Sequence, residues 1–277
     1  MAATRVMTAP ARAKPKREIT VGQVRLLTVI VVWACWEALA ASGLFYRDVI
    51  PSSLKVFPAI WGEISDGAFY HHLGITFAEV VVGFILGAAA GILTGIAMGA
   101  NPFLRAALSP YLNAIGSTPK IIFLPIIFLM FGVGIESKMV KGALSGFFPT
   151  VFSTTLGMVL INPVLLRVGR SFNLNTWQTI AKIYIPAMVN PVIVGLRLGM
   201  GVVIIGILVA EIKFSAGGLG FRLIEYYEQF RIAPMYAMLI IIFVLAAVAN
   251  YGMTRLQERY DWGKRGRGGA NTAGAAR

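Results

Sequence analysis

Residues 76–100 read TFAEVVVGFILGAAAGILTGIAMGA, and this run decides the fold. The hydrocarbon core of a bilayer is crossed by a helix of about 20 residues. The run exceeds that length and carries a single ionisable side chain, Glu79. Gly83, Gly87, Gly91, Gly95 and Gly99 recur at every fourth position. On a helix they form a slowly winding groove without side chains, against which a second helix packs with its backbone close. In lipid, where no hydrophobic force drives helices together, such van der Waals contact holds them. Tight packing within one subunit is the preferred reading of the groove; a surface that slides during transport is the alternative.

Five further apolar runs lie near residues 26–44, 110–131, 138–160, 188–212 and 234–254. The run over 110–131 contains Pro119 and Pro125, which should bend or interrupt it. Of the 277 residues, 57% are hydrophobic and 13% charged; a soluble domain carries about 25% charged residues. These features predict an all-α polytopic membrane protein with about six transmembrane helices and no separate soluble domain. The chain divides into a basic arm (1–25), a membrane domain (26–256) and a basic, flexible tail (257–277). The first apolar run is too long for a cleavable signal core of about 7–15 residues, so an uncleaved first helix is expected.

The formal net charge of +13 does not indicate a nucleic-acid partner. A nucleic-acid binder gathers Lys and Arg on one soluble face; here they lie between and beyond the apolar runs. With the N-terminus cytoplasmic, 16 Lys and Arg fall on the cytoplasmic side and 7 opposite. That bias places both termini inside, by the rule that cytoplasmic loops are enriched in positive charge. Residues 45–75 read as a short amphipathic interfacial piece. Residues 213–233 read as a Gly-rich turn (Gly217, Gly218, Gly220) leading into an aromatic, charged surface segment.

Ionisable groups inside a membrane are costly and are functional candidates by default. Glu37, Glu79, Lys120, Arg197 and Glu211 qualify. Glu37 reads as interfacial, Glu79 and Arg197 as able to snorkel to an interface, and Glu211 as closing its span where solvent reaches it. Lys120 follows Pro119 in a broken helix and is the strongest candidate to line a cavity; Lys120, Arg197 and Glu211 are the translocation-path candidates. No catalytic set is evident and none is expected. The sequence has no Gly-x-x-x-x-Gly-Lys-Ser/Thr phosphate loop. The two histidines, His71 and His72, are adjacent rather than at zinc spacing, and the single cysteine is Cys35. No metal, no cofactor and no enzymatic activity are therefore expected of this chain.

Residues 163–191 read PVLLRVGRSFNLNTWQTIAKIYIPAMVNP. Val164, Leu165, Val168 and Phe172 share one helical face, with Arg167 and Arg170 on another. Asn173-Leu174-Asn175 interrupts the pattern. Thr176 is positioned to cap a second short helix whose Trp177, Ile180, Ala181 and Tyr184 share a face and which Pro186 should end. The product is an amphipathic, basic helix–turn–helix over 163–186. It suits either a membrane surface or a soluble partner.

At this point the sequence resembles the permeases of binding-protein-dependent ATP-binding-cassette importers, in particular the nitrate/sulfonate/taurine group. Segment 163–186 corresponds to their cytoplasmic coupling motif. Ser117-Thr118-Pro119-Lys120, Leu124-Pro125, Phe131-Gly132-Val133-Gly134, Phe147-Phe148-Pro149, Gly195-Leu196-Arg197, Ala210-Glu211 and Gly218-Leu219-Gly220 follow in the family's order. Two departures stand out. Arg167 replaces an acidic residue, and Asn173 replaces a glycine whose left-handed backbone asparagine also tolerates. The resemblance implies a type I importer permease fold in the bacterial inner membrane, moving a small, mainly anionic solute. It implies a permease homodimer, separate ATPase subunits that bind the ATP and dock on Arg167, Arg170, Phe172, Asn173, Trp177 and Pro186, and a periplasmic substrate-binding protein. On the residues alone, a stand-alone secondary transporter or channel and a non-transporting membrane scaffold remain open.

Overall fold

A computed structural model describes residues 20–43 and 49–260. Most of the basic arm and of the tail lies outside them. Two units are distinguished, Met1–Ser53 and Leu54–Arg277. In the first, α1 (Val21–Ala41) is mainly apolar, with Arg25 and Glu37 toward its ends, and stops where Gly43 turns left-handed at φ 64°. Trp36 Nε1 donates to the Pro51 carbonyl at 3.0 Å. Glu37 accepts from the Ser52 hydroxyl and, at 3.2 Å, from the Ser53 amide.

The second unit opens with α2 (Ser53–Ser65), after which Asp66 caps α3 (Gly67–Ala100) by accepting from the Ala68 amide at 3.0 Å. The interfacial piece expected over 45–75 therefore ends at Ser65, and the span begins nine residues earlier than its apolar run. At 34 residues, α3 is about 50 Å long. Asn101 ends it and caps α4 (Pro102–Ser117), accepting from the Phe103 and Leu104 amides, with Pro102 in the first turn, where a missing N–H costs nothing.

The break expected at Pro119 is present. Thr118 is extended, as the residue before a proline prefers. A 3-10 turn over Lys120–Phe123 then leads into α5 (Leu124–Phe131), and the axis turns by 92° across the break. Next come α6 (Ile135–Val159), α7 (Pro163–Ser171), α8 (Thr176–Thr179), α9 (Ile185–Phe214), α10 (Leu219–Glu228) and α11 (Ile232–Tyr260). Among the described residues, five helical stretches are long and apolar enough to cross a membrane, and a sixth span forms if the bent pair counts as one. The chain is a multi-pass, all-helical membrane protein.

The packing centre is α6, held between α3 and α9. A β-carbon on Gly87 would stand 2.5 Å from the Ala143 carbonyl oxygen, and one on Gly91 2.7 Å from Thr150 Cβ. Gly83, Gly95 and Gly99 face Met139, Thr154 and Met158 in the same way. On the other side of α6, Gly195 meets Ser153 and Gly199 meets Thr150. Being surrounded by protein, α6 can carry Ser145, Thr150 and Thr155, all buried. Their hydroxyls donate to the carbonyls of Lys141, Gly146 and Val151, one turn back, at 2.7–2.9 Å.

A polar clasp joins α2, the start of α3 and α10. Arg222 Nε donates to Glu63 at 2.9 Å, its Nη2 pairs with Asp66, and the Tyr226 hydroxyl donates to Glu63. The Ala68 amide and Arg222 hold the Asp66 carboxyl below the usual carboxylate range. Burial and the neighbouring Glu63 push the Tyr226 hydroxyl up to about 12. Beneath lie Phe69, Leu219, Met238 and Ile241.

Two predictions follow from this packing. Gly87→Val should lower the melting temperature of the detergent-purified protein, since overpacking costs about 1–3 kcal/mol. Gly74→Ala, with nothing within 4 Å of the added carbon, should leave it unchanged or raise it. Arg222→Met should destabilise by about 3–5 kcal/mol by leaving buried Glu63 without its counter-charge. Adding Glu63→Leu should recover part of that loss in the same thermal assay.

Candidate functional site

In the loop over 163–186, Asn162 caps α7 by accepting from the Val164 amide at 2.9 Å. The helix ends in a Schellman turn. Asn173 is left-handed at φ 50°, the Leu174 amide donates to the Gly169 carbonyl, and the Asn173 amide donates to that of Arg170, both at 3.0 Å. Gly169 is the buried contact beneath the turn, its missing side chain leaving room for Ile183. The second helix is capped by Asn175 rather than by Thr176. Asn175 Oδ1 accepts from the Gln178 amide at 2.7 Å, and Gln178 Oε1 accepts from the Asn175 amide at 3.1 Å.

Pro186 does not end that helix. A π turn over Ile180–Tyr184, closed by the Ile185 amide on the Ile180 carbonyl, widens the coil just before the proline. Pro186 then sits in the first turn of α9, and the helical path continues from Thr176 to Phe214. Arg167, Arg170, Phe172, Asn173, Trp177 and Pro186 are all exposed, Phe172 at 76% and Trp177 at 74%.

The membrane-embedded charges fall into separate groups. Glu79 does not snorkel and Glu211 is not at a solvent-reached end: both are 0% exposed. Lys138 and Lys141, counted by sequence among the outer loops, are buried on α6. Removing them from the count leaves five positive residues on that side against 16. The Glu79 carboxyl interacts with that of Glu211, and Lys138 Nζ lies 3.8 Å from Glu79.

Glu211 also holds the start of α10. It accepts from the Gly220 amide at 2.7 Å and from the Thr76 hydroxyl at 2.6 Å. The Leu219 amide donates to Thr76 Oγ1 at 2.8 Å and the Gly218 amide to His72 Nδ1 at 3.1 Å. Three otherwise free N–H groups are thereby satisfied from α3 and α9. Gly218, at φ 102°, lies where any side chain would collide with the Glu211 carboxylate.

Of the other candidates, Arg197 is half-buried and donates to Gln257 Oε1 on α11 at 3.0 Å. Lys120 is half-buried at the break, donating to the Gly116 carbonyl and standing 5.1 Å from the Phe148 ring centre. It lines a recess of about 250 Å³ that also takes in Lys141 and Ser145 of α6 and Gly206 of α9. The structure thus brings Lys120 together with Lys141, which sequence reasoning set in a loop, and not with Arg197 or Glu211. Among the described residues, no three His, Cys, Asp or Glu side chains are grouped to hold a metal.

Comparison with known proteins agrees with this architecture. Residues 83–262 match the family model described as binding-protein-dependent transport system inner membrane component. A Bacillus subtilis (strain 168) protein named as an aliphatic sulfonates transport permease, SsuC, is 28% identical over 248 residues, covering 90% of each chain. The taurine transport system permease protein TauC of Escherichia coli K12 is 25% identical over 88% of this chain and 89% of its own. The nitrate import permease protein NrtB of Synechococcus elongatus is 25% identical over 70% of this chain and 73% of its own. In fold, a chain of the MetNI methionine ABC transporter, in an inward-facing conformation, superposes with a TM-score of 0.55 at 18% identity, covering 75% of this chain and 96% of that one. A family match over most of the chain, together with the helical order described above, means that this protein belongs to the binding-protein-dependent transport system inner membrane components.

Proposed function

We propose that this chain is the transmembrane permease subunit of an ATP-binding-cassette importer in the bacterial inner membrane. It moves a small anion of the sulfonate, taurine or nitrate kind, and energy comes from separate ATPase subunits. Two permease copies enclose the path, both chain termini face the cytoplasm, and a binding protein delivers substrate from outside.

The observation that carries this reading is the exposed helix–turn–helix over 163–186. Two large aromatic side chains, Phe172 and Trp177, stand exposed on a segment whose helix ends are capped at Asn162, Asn173 and Asn175. Aromatic residues of this kind anchor protein interfaces. The caps fix the turn, and the unbroken helical path from Thr176 to Phe214 joins it to the membrane interior. A push at Trp177 therefore reaches α9 as a rigid-body motion, and rocking of this sort alternates access. Arg167 and Arg170 add positive charge to the same surface, which calls for an ATPase whose docking cleft carries acidic groups. Uptake powered from outside also fits a chain with no phosphate-binding loop of its own.

Phe172→Glu and Trp177→Glu should abolish co-purification with the cognate ATPase, assayed by affinity capture from membranes. Membrane insertion and monodispersity in detergent should be unchanged. Undiminished capture of the ATPase by the double variant would overturn the docking role of this loop.

A further inference from the structure

We infer that Lys120 and Lys141 form an anion-binding step within the membrane domain, a transient seat for a small monovalent oxyanion or sulfonate. This deepens the permease reading above and rests on it for the direction of transport, but not for the binding itself.

The argument starts from charge. Lys141 is 3% exposed, and its amine makes one side-chain hydrogen bond, to Ser145 Oγ at 3.1 Å. Lys120 lines the same recess and is near enough to act on Lys141 electrostatically. Among the described residues, no carboxylate pairs with either amine. Glu79 is beside Lys138, and Glu211 is committed to the Thr76 hydroxyl and the Gly220 amide. A lysine within a membrane segment is costly unless its charge is met. Two lysines sharing one recess repel each other as well. Such a pair persists if a mobile anion supplies the missing charge, or if one amine gives up its proton.

The shape favours the anion. Gly206 faces the pair. A β-carbon there would stand 2.6 Å from Ser145 Oγ and 3.4 Å from Lys141 Nζ, so its absence keeps the space open. At about 250 Å³, the recess has room for a small oxyanion with part of its water shell, each water taking about 30 Å³. The donors suit passage rather than storage. Two ammonium groups act as point donors without the planar fork by which arginine grips an oxyanion, and the Ser145 hydroxyl, its proton given to the Lys141 carbonyl, holds the Lys141 amine in place. Conduction needs a site that binds strongly enough to admit the ion and weakly enough to release it.

The test is chloride NMR line broadening on the full-length chain in nanodiscs, with chloride as the probe and nitrate or methanesulfonate as competitors. Wild-type protein should give excess linewidth that both competitors remove. Lys120→Met and Lys141→Met should each lose about half or more of it, since each deletes one of two charges acting on the anion. Lys141→Arg should retain it. Equal linewidth in wild type and the Lys120→Met/Lys141→Met double variant would overturn the proposal, as would no excess in wild type, the result expected of a neutral amine. ATPase capture on the same samples separates the two readings. Loss of capture from wild type defeats the permease assignment without touching the chloride result, and an unchanged linewidth with capture intact defeats the anion seat alone.

Discussion

The close approach of α3 and α9 to the two sides of α6 is the constraint on which the rest of the structure depends. Contact at this range exists because Gly87 and Gly91 on one side, and Gly195 and Gly199 on the other, present backbone to the neighbouring helix. In lipid, burial of apolar surface gives no advantage to helix association, so close backbone contact and internal hydrogen bonds carry it. With α6 enclosed, polar side chains become admissible on it. Ser145, Thr150 and Thr155 return their hydroxyl protons to their own helix, and the two lysines project from it. The arrangement inverts a soluble core: polar groups are gathered at the protein centre, and the apolar surface faces lipid.

The charges sort themselves within this frame by the partners they meet. Glu63 and Asp66 share Arg222, with the Tyr226 hydroxyl donating to Glu63, where α2 and α10 meet the start of α3. Glu211 is anchored by N–H and O–H donors at the head of α10 and has Glu79 beside it, with Lys138 next to Glu79. Among the described residues, no acid pairs with Lys120 or Lys141. A positive pair at the break in the third span is what distinguishes that recess from the two clusters in which acids outnumber the cation.

The membrane class, the glycine groove and the proline break are legible in the sequence, because each rests on local periodicity or on the chemistry of one residue. The left-handed turn at Asn173 is legible for the same reason. What the sequence hides are matters of enclosure and range. Lys138 and Lys141 head the apolar run over 138–160 and are counted with the outer positive charges; only the enclosure of α6 allows a helix to begin at Ile135 and bury both. Arg222 and Glu63 are 159 residues apart, and no pattern marks such a pair. Pro186 stops a regular α-helix by removing an amide and crowding the carbonyl four residues back. A π turn relieves both demands, and nothing in IAKIYIP announces it. The Ala210-Glu211 and Gly218-Leu219-Gly220 matches look like separate motifs. In the fold they are one, since the carboxylate of the first requires the bare backbone of the second.

These relations converge on α9. Its N-terminal extension is the exposed turn around Trp177. Gly195 and Gly199 bear on α6, Gly206 forms a wall of the lysine recess, and Glu211 grips the start of α10. A helix with an unbroken path through all four points moves them together. Under the docking and the anion seat proposed above, a displacement of its exposed end would shift Gly206 against Ser145 and Lys141 and alter the space between the two lysines. The capped turns matter for the same reason: a loop that bent under load would absorb the displacement before it reached Gly206. The tight seam restricts the shift to small sliding of packed helices, the regime in which closely packed interfaces switch between discrete arrangements rather than deform continuously.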